Sequence, residues 1–573
     1  MEILGKEAIF WALFLTFNFI LFLTNSLLHF DSRPFLPLKK ILNKRNKGIF
    51  ESMNPDFYRL SIDLSFFILL VRSNLISSFL LPTLSVFYIG ILLFNGYYYS
   101  FLRLYSVSPV LINDIRLLKN GIGILYGESK LKVLCIATII PLLAILVYQS
   151  FLLYLQFTSS LSPNLYSISG TALILIYFLV AIVRVGINHH KLNLNTELRL
   201  RNVIMLLRIF KNAYDSYMMM RVQRKIDFKT LAEKRNVDLD LSIKPNIYCL
   251  FIESYGSILL KDPQLKESYQ KDFESFSEKL ESNLWHKANN LSRSISLVGP
   301  SWLAYSTILN GYRIENNFQF ENILNNTKFH NVGGLIKDFQ KQGYKSYNLN
   351  ATKHKPGVKV PFDKMANLYG VDKWILRDDI PYSGKRYGFT EGPTDQYVLN
   401  YAFEEIINKN PEPYILFYLT KNSHSPFIGP KSVVSNWRDL NDGNDQLTGH
   451  QLLKKPALAD YSQSIKYQLD FISDFIINKG TENDVFLMLG DHQPHHLANV
   501  GDHGLETLVH VISKNKDFVR GFRDYGFSSD NSFGNLPIKH EALYSIFIRE
   551  IMKSYGKQGA SIPNYEPDGL QVY

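Results

Sequence analysis

An aspartate and a histidine stand together where an apolar run ends. The run VFLMLG is typical of a buried strand, and Asp491 and His492 follow it directly within the segment FLMLGDHQPHH, residues 486–496. In open α/β sheets, ligands bind outside the carboxyl ends of the strands. A carboxylate oxygen and a neutral imidazole nitrogen at that place can share a divalent cation, since such ligands suit Mn²⁺, Zn²⁺ or Mg²⁺. The alternative is a loop hydrogen bond without a metal.

Two further apolar runs end in residues of the same kind. Glu253 follows NIYCLFI, and His424 follows PYILFYLT within the segment KNSHSPF. Glu253 alone could be the neighbour of a helix N-cap, and a lone histidine is often structural. Two acids after two separate strands favour a metal site, and His424 joins them at an equivalent position. His495, His496 and His503 are weaker candidates.

A hydroxyl group stands at the predicted start of a helix. Gly299 and Pro300 mark a turn, Ser301 follows, and WLAYSTIL then predicts a helix that ends near Asn310. Ser301 could simply cap that helix. Alternatively it is a nucleophile, because backbone N–H groups at a helix start stabilise anionic phosphate and a metal would lower the pKa of the hydroxyl.

The elements that position these residues alternate between strands and helices. YKSYNLN and LVHVIS predict further strands, and residues 329–342, 394–409, 460–478 and 540–553 predict helices. Such alternation predicts an α/β domain with a mainly parallel central sheet covered on both faces. The sequence contains no GxxxxGK[ST], GxGxxG or CxxC element. Its two cysteines, Cys135 and Cys249, fall in an apolar span and a predicted core strand, so no disulfide is expected.

The first 190 residues are strongly apolar, unlike the rest of the chain. Five stretches approach the roughly 20 apolar residues that cross a bilayer. They are residues 7–28, 60–81, 84–103, 132–156 and 168–187. The first lacks a cleavage site and predicts a retained anchor. The second contains Arg72, a charge that we expect to face protein or water.

The formal net charge of the chain is +11. Its basic residues cluster beside the apolar spans, which fits anionic lipid headgroups better than nucleic acid. Within the linker 188–240, the part ELRLRNVIMLLRIFKNAYDSYMMMRVQRK alternates basic and apolar residues at helical spacing. It predicts either an interfacial amphipathic helix or a helix packed on the soluble domain. The predicted domains are a transmembrane domain, 1–187, an interfacial linker, 188–240, and a soluble domain, 241–573.

With those residues in place, nearly the whole chain resembles the lipoteichoic acid synthase group of the sulfatase and alkaline phosphatase superfamily. Phosphoethanolamine and phosphoglycerol transferases belong nearby. The motifs that carry the resemblance are FIESYG, Gly299-Pro300-Ser301, Leu309-Asn310-Gly311, NSHSPF, LGDHQP and the juxtamembrane NGYYYSFLRLYSVSP. The synthases place a histidine where Asn350 stands, and their Trp and Arg substrate contacts are absent near KHKPGVKVPFDKM. Lys353, His354, Lys355 or Lys359 could replace them as phosphate binders.

The resemblance implies a transferase with a sulfatase-like catalytic domain. It would move phosphoglycerol or phosphoethanolamine from a phospholipid to an envelope glycan or glycolipid through phospho-Ser301. One divalent cation, Mn²⁺ or else Zn²⁺ or Mg²⁺, would be held by Glu253, Ser301, Asp491 and His492. His424 would bind the phosphate or protonate the leaving oxygen, and Trp302, Lys353 and His495 are further expected substrate contacts. A membrane-anchored phosphodiesterase or sulfatase is the alternative, and a sensor without activity is another.

The sequence signals disagree about the side of the membrane on which the soluble domain lies. The basic loop 29–59 and the basic segment after the fifth span would place the soluble domain in the cytoplasm. The resemblance instead implies a multi-pass protein of the bacterial cytoplasmic membrane with its catalytic domain outside. We predict the second arrangement, because basic residues that dock on lipid headgroups weaken the charge rule. Five spans would then leave the N-terminus in the cytoplasm.

Overall fold

The chain forms two compact units, Met1–Met219 and Met220–Tyr573. They are known from a computed structural model, which describes residues 2–29, 60–105, 109–115, 130–188, 205–223, 231, 233, 237–351, 361–388, 392–444, 456–498, 500–534 and 536–570. The loop 29–59 and Lys353 therefore lie almost wholly outside the described residues.

The first unit is helical, and its apolar sequence explains why. Its helices are α1 (Glu2–His29), α2 (Ile62–Arg72), α3 (Leu81–Tyr105), α4 (Lys130–Ser160), α5 (Leu165–Asn188) and α6 (Met205–Gln223). Among the described residues, four helices are long and apolar enough to cross a membrane, namely α1, α3 with the turn before it, α4 and α5. The N-terminal helical membrane region predicted from the sequence is confirmed.

The second predicted span, 60–81, is not one long helix. Helix α2 has 11 residues, which at 1.5 Å per residue is about 16 Å and about half the hydrocarbon thickness. Ser61 caps its start. Arg72 at its end lies 2.8 Å from the carboxylate of Glu7 and 4.2 Å from the ring centroid of Phe10. The charge within the apolar sequence is thus paired inside the bundle.

Successive helices of the first unit alternate in direction. Helix α2 runs antiparallel to α1, because Ser61 N donates to Asn18 Oδ1 while Arg72 pairs with Glu7. Helices α3 and α5 are parallel to α1, and α4 is antiparallel to α1. The contacts that set the directions of α3 and α4 are Tyr88–Phe17, Asn95–Leu21, Phe151–Phe17 and Tyr154–Phe10. The direction of α5 follows from Gly170, which lies beside Trp11 and Arg72, and from the hydrogen bond of Tyr177 to Leu60. The start of α1 and the end of α5 therefore lie at opposite ends of the bundle.

Helix α6 lies inside the predicted linker. Its start is bound by the buried Asp63, whose carboxylate accepts a hydrogen bond of 2.6 Å from Met205 N. Apolar side chains at helical spacing stay exposed on its outer face, namely Leu207, Phe210, Tyr214 and Tyr217. Its predicted place at the lipid interface stays a prediction.

The second unit contains one eight-stranded sheet in the order β4-β3-β5-β1-β6-β7-β2-β8. Its strands are β1 (Ile247–Ile252), β2 (His286–Arg293), β3 (Lys345–Asn350), β4 (Lys373–Leu376), β5 (Tyr414–Leu419), β6 (Val485–Gly490), β7 (Glu506–Ser513) and β8 (Ile538–Lys539). Among the strand pairs of the described residues, β6–β7 and β7–β2 are antiparallel and the others are parallel. The predicted mainly parallel sheet is confirmed, since the apolar runs become strands buried on both faces.

Helices cover both faces of this sheet. They are α7 (Ile258–Lys261), α8 (Pro263–Ser282), α9 (Ser301–Asn310), α10 (Asn317–Asn325), α11 (Leu335–Gln340), α12 (Phe362–Tyr369), α13 (Asp395–Ala402), α14 (Leu458–Lys479), α15 (Val500–His503), α16 (Lys516–Gly521) and α17 (Leu543–Tyr555). The predicted helix 394–409 is α13 continued by a π-helical turn, Phe403–Ile407. The predicted helix 329–342 is shorter, because α11 begins only after Gly334.

Candidate active site

Three neighbouring strands bring the predicted residues to one edge of the sheet. Strand β1 lies between β5 and β6, parallel to both, and its last residue, Ile252, is level with Gly490 of β6. Glu253 and Asp491 therefore leave the sheet side by side. Gly490 is required there, because a Cβ atom at this position would lie 2.1 Å from Tyr255 O.

A compact group of possible ligands forms at this edge. Ligand atoms of Glu253, Asp491 and His492 all lie within 4.8 Å of one another, and all three residues are buried. His492 Nε2 is 3.2 Å from Asp491 Oδ2 and 3.6 Å from Glu253 Oε1. The fold thus gathers one nitrogen and two carboxylates from sequence positions more than 200 residues apart.

Hydrogen bonds around the group orient each side chain. Asp491 Oδ1 accepts from Ser254 N and from His492 N, each at 2.9 Å. His492 Nδ1 lies 2.8 Å from Gln493 O. A proton on Nδ1 satisfies that carbonyl and leaves the lone pair of Nε2 pointing into the group, which is the tautomer a metal ligand needs.

The residues present fit a divalent cation. Asp491 Oδ2 is buried and, among the described residues, has no hydrogen-bond partner. A buried carboxylate oxygen without a donor is costly, and here it faces a second carboxylate and an imidazole nitrogen. A cation would satisfy all three groups at once, and the mixed oxygen and nitrogen ligands match Mn²⁺ or Zn²⁺ better than Ca²⁺.

The pKa values of the two carboxylates reflect how close the charged groups lie to one another. Burial and then the neighbouring Glu253 carboxylate raise the pKa of Asp491 above its usual value. Burial also disfavours ionisation of Glu253, but nearby positive charges outweigh that effect, so the pKa of Glu253 is lowered. Those charges belong to His424, His492 and Lys421. The site is therefore built to keep at least one carboxylate ionised.

Ser301 lies beside this group, at the first residue of helix α9. Its Oγ atom is 3.3 Å from His492 Nε2. The helix begins after Pro300, and Leu303 N already donates to Pro300 O at 2.9 Å. The N–H groups of Ser301 and Trp302 remain at the helix start to face a ligand at Ser301. The hydroxyl thus combines a helix start with three convergent ligand groups.

The turn before Ser301 is hydrogen-bonded to the loop after β6. Ser294 Oγ donates to Asp491 O at 2.6 Å, and Gln493 N donates to Leu297 O at 2.9 Å. Gly299 has a φ of 106°, which glycine adopts without strain and other residues rarely adopt. These contacts set the distance between the serine and the Asp491-His492 pair.

His424 lies on the loop after β5, next to Glu253. Thr420 Oγ1 accepts from Glu253 N at 3.2 Å, and Ser423 Oγ donates to Glu253 O at 2.7 Å. His424 Nδ1 lies 2.7 Å from Ser425 O. A proton on Nδ1 would donate to that carbonyl, so Nε2 is the nitrogen that would act on a substrate. The loop binds Glu253 through both main-chain polar atoms and places His424 close enough to affect the pKa of its carboxylate.

The remaining predicted contacts are less closely tied to the group. Trp302 is partly buried, and its Nε1 donates to Asn317 Oδ1 at 2.8 Å, so its ring packs toward α10. His495 is partly exposed on the loop after β6, with its ring 3.8 Å from that of His496. Lys353 lies outside the described residues. Asn350, in the place of the synthase histidine, is the last residue of β3.

Several residues of the site were missed by reasoning from the sequence. Ser254 holds a left-handed φ of 62° and contacts both carboxylates, through its N–H to Asp491 and its hydroxyl to Glu253. Thr420 and Ser423 bracket Glu253, and Lys421 adds a positive charge beside it. All except Ser254 lie in the segment TKNSH, whose small polar residues next to His424 were the available signal.

Comparison with known proteins agrees with the predicted superfamily. Residues 282–511 match the family model described as Sulfatase. The matched segment contains Ser301, His424, Asp491 and His492, although it covers less than half of the chain and begins after Glu253. The resemblance to this superfamily is confirmed over these residues. No curated protein matches the chain.

Solved structures that resemble the chain include two transferases and a synthase. The full-length lipooligosaccharide phosphoethanolamine transferase A from Neisseria meningitidis is 14% identical, with 92% of this chain and 94% of that chain covered and a TM-score of 0.43. The lipoteichoic acid synthase LtaP from Listeria monocytogenes is 13% identical, with 60% and 82% covered and a TM-score of 0.37. The phosphoglycerol transferase GacH from Streptococcus pyogenes, in complex with sn-glycerol-1-phosphate, is 13% identical, with 60% and 87% covered and a TM-score of 0.33. Likenesses at this level carry no information on the substrates of this chain.

Proposed function

We propose that this chain is a metal-dependent transferase of the bacterial cytoplasmic membrane. It moves a phospho-headgroup, phosphoglycerol or phosphoethanolamine, from a phospholipid to a glycan or glycolipid of the cell envelope. The observation that carries the proposal is the Ser301 hydroxyl at a helix start, 3.3 Å from His492 Nε2 and next to Glu253 and Asp491. The catalytic domain would lie outside the cytoplasm, where such acceptors are found.

The reaction would proceed in two displacements at phosphorus. Ser301 gives up its hydroxyl proton to solvent, and its Oγ forms a bond to the phosphorus of the phospholipid. The bond from phosphorus to the diacylglycerol oxygen breaks, and that oxygen takes up a proton from His424, which then regains one from solvent. The headgroup then remains as a phosphodiester of Ser301. An acceptor hydroxyl forms the next bond to phosphorus, the bond to Oγ breaks, and the proton of the acceptor returns to the serine.

The side chains of the site divide this work. A divalent cation held by Glu253, Asp491, His492 and Ser301 would lower the pKa of the serine hydroxyl and neutralise charge on the phosphoryl oxygens. The N–H groups of Ser301 and Trp302 at the start of α9 bind the anionic phosphate. His424, through Nε2, donates a proton to the leaving diacylglycerol oxygen.

Ser301→Ala tests the proposal directly. Full-length protein in nanodiscs receives phosphatidylglycerol or phosphatidylethanolamine with a fluorescent acyl chain and Mn²⁺, and released diacylglycerol is measured. We expect wild-type protein to release it and Ser301→Ala to lose at least about a thousandfold in rate, because removing a nucleophile removes the covalent route. A second label on the headgroup distinguishes transfer to an added glycolipid from release into water.

Ser306→Ala is the matched control, since Ser306 lies on the same helix but is buried and hydrogen-bonded to Tyr369 Oη. It should keep the wild-type rate. Equal turnover by folded Ser301→Ala protein would refute the covalent mechanism, and no release of diacylglycerol by wild-type protein from either lipid would refute the lipid donor.

A further inference from the structure

A further buried carboxylate, outside the group of proposed metal ligands, lies behind the site. Asp395 is the first residue of α13 and is 1% exposed. Its carboxylate accepts hydrogen bonds from Tyr418 Oη at 2.6 Å, Lys421 N at 2.9 Å, Asn422 N at 2.7 Å and Gln468 Nε2 at 2.8 Å. A carboxylate with this many donors is well satisfied in the interior.

Two of these donors belong to the backbone of the loop after β5. The N–H groups of Lys421 and Asn422 lie beyond the pairing of β5 with β1, which ends at Leu419, and the Asp395 carboxylate is the acceptor for both. Asn422 also returns a contact, because its Oδ1 accepts from Asp395 N at 2.7 Å. Asp395 therefore both accepts hydrogen bonds from this loop and donates one to it.

The same loop holds the main chain of Glu253. Thr420 and Ser423 stand on either side of the two residues that Asp395 binds, and they contact Glu253 N and Glu253 O respectively. His424 follows at once, and its N–H donates to Lys421 O. A shift of residues 421 and 422 would therefore move the proposed metal ligand Glu253 and the proposed proton donor His424 together.

We propose that Asp395 is a positioning residue that holds the loop 420–424 so that Glu253 and His424 meet at the reacting phosphate. This inference rests on the proposed function for its catalytic part, but not for its effect on metal affinity. Asparagine at position 395 would keep the volume of the side chain but present an NH₂ group to N–H donors, so the loop would be pushed outward. Displacements of about 1 Å cost about a hundredfold in rate at active sites, and loss of the partners that orient metal ligands costs about 10–100-fold in metal affinity.

The chain offers two matched controls. Asp484 is a buried carboxylate with a comparable set of donors, Thr481 N, Thr481 Oγ1 and Asn246 Nδ2. It precedes β6, at the opposite edge of the sheet from the site. Tyr418→Phe removes a hydrogen bond from the Asp395 carboxylate itself but leaves both loop N–H contacts in place. Both changes disturb buried polar groups without releasing the loop.

The experiment measures Mn²⁺ affinity and turnover of fluorescent phospholipid with full-length protein in nanodiscs. We expect Asp395→Asn to weaken Mn²⁺ binding by about tenfold or more. Its kcat should fall by at least about tenfold while KM for the lipid stays within about twofold. Asp484→Asn and Tyr418→Phe should stay near wild type in both respects, even where their thermal stability falls.

Ser423→Ala is the second test variant, used in the same way if Asp395→Asn does not fold, because it removes the contact from the loop to Glu253 O. Wild-type affinity and kcat in these two variants overturn the inference, and so does an equal loss in the Asp484→Asn control. Equal Mn²⁺ affinity of wild type and Asp395→Asn, including absence of binding in both, also overturns it. Failure of the proposed function gives a different result. Wild type, the test variants and the controls would then differ in Mn²⁺ affinity as expected here, but wild-type protein would release no diacylglycerol.

Discussion

Replacing Asp491 by asparagine should stabilise the metal-free protein and abolish its response to metal. Asp491 Oδ1 would remain as the acceptor for Ser254 N and His492 N. The new NH₂ group would take the place of Oδ2, which has no hydrogen-bond partner among the described residues. From there it can donate to Glu253 Oε1, so a repulsive contact between carboxylates becomes a hydrogen bond.

The magnitude follows from the separation of the charges. Two unit charges no more than 4.8 Å apart repel by at least about 3.5 kcal/mol at an effective dielectric constant of about 20. The attraction between Asp491 and His492 is lost with the substitution and offsets part of this gain. We therefore expect a net stabilisation of about 1–2 kcal/mol, or a rise in Tm of about 2–4 °C for a domain of this size.

The assay is thermal unfolding of full-length protein in detergent, with a chelator and with excess Mn²⁺. Wild-type protein should gain stability with Mn²⁺ by mass action, whereas Asp491→Asn should gain none. Asp484→Asn is the control, because its carboxylate is fully hydrogen-bonded and far from the site. It should lose stability in the chelator and still respond to Mn²⁺. A metal-free Asp491→Asn protein that is less stable than wild type, or one that gains as much from Mn²⁺, would refute the reasoning.

Three further predictions concern other parts of the molecule. His510 is buried and its pKa is lowered to about 3; below about pH 6.5 the unfolded chain takes up a proton that the folded chain does not, so stability falls by about 1.4 kcal/mol per pH unit. His510→Gln should reduce that slope by one proton in urea titrations between about pH 7 and pH 5, and an unchanged slope would contradict the assignment. Arg72→Met should cost about 3–5 kcal/mol by leaving Glu7 unpaired, and Glu7→Gln in the same chain should restore most of the Tm; no recovery would mean that the pair is not coupled. Since helices α1 to α5 alternate in direction, protease added to spheroplasts should cleave the domain 241–573 and spare an N-terminal tag, and cleavage of the tag alone would reverse the proposed orientation.

Much of the fold could be read from local patterns. The apolar runs before Glu253, His424 and Asp491 are strands β1, β5 and β6, because continuous apolar segments of that length must be buried on both faces of a sheet. The turn at Gly299 and the helix after Ser301 were predicted by their residue types alone. Strand β2 was not predicted, since Asn289 and Asn290 are polar and are buried only because distant loops supply their hydrogen bonds.

Pairing between distant parts of the chain was decided only by the tertiary structure. The sequence by itself determined where each of these strands ends and which polar residues follow it, because a strand end is marked by neighbouring residues along the chain. It did not determine that β1 lies between β5 and β6, or that Ser294 and Gln493 bring the serine turn to the loop after β6. Asp395 illustrates the reason: its role arises from donors on three other elements, and such contacts depend on packing over long sequence separations, which leaves no local pattern to read.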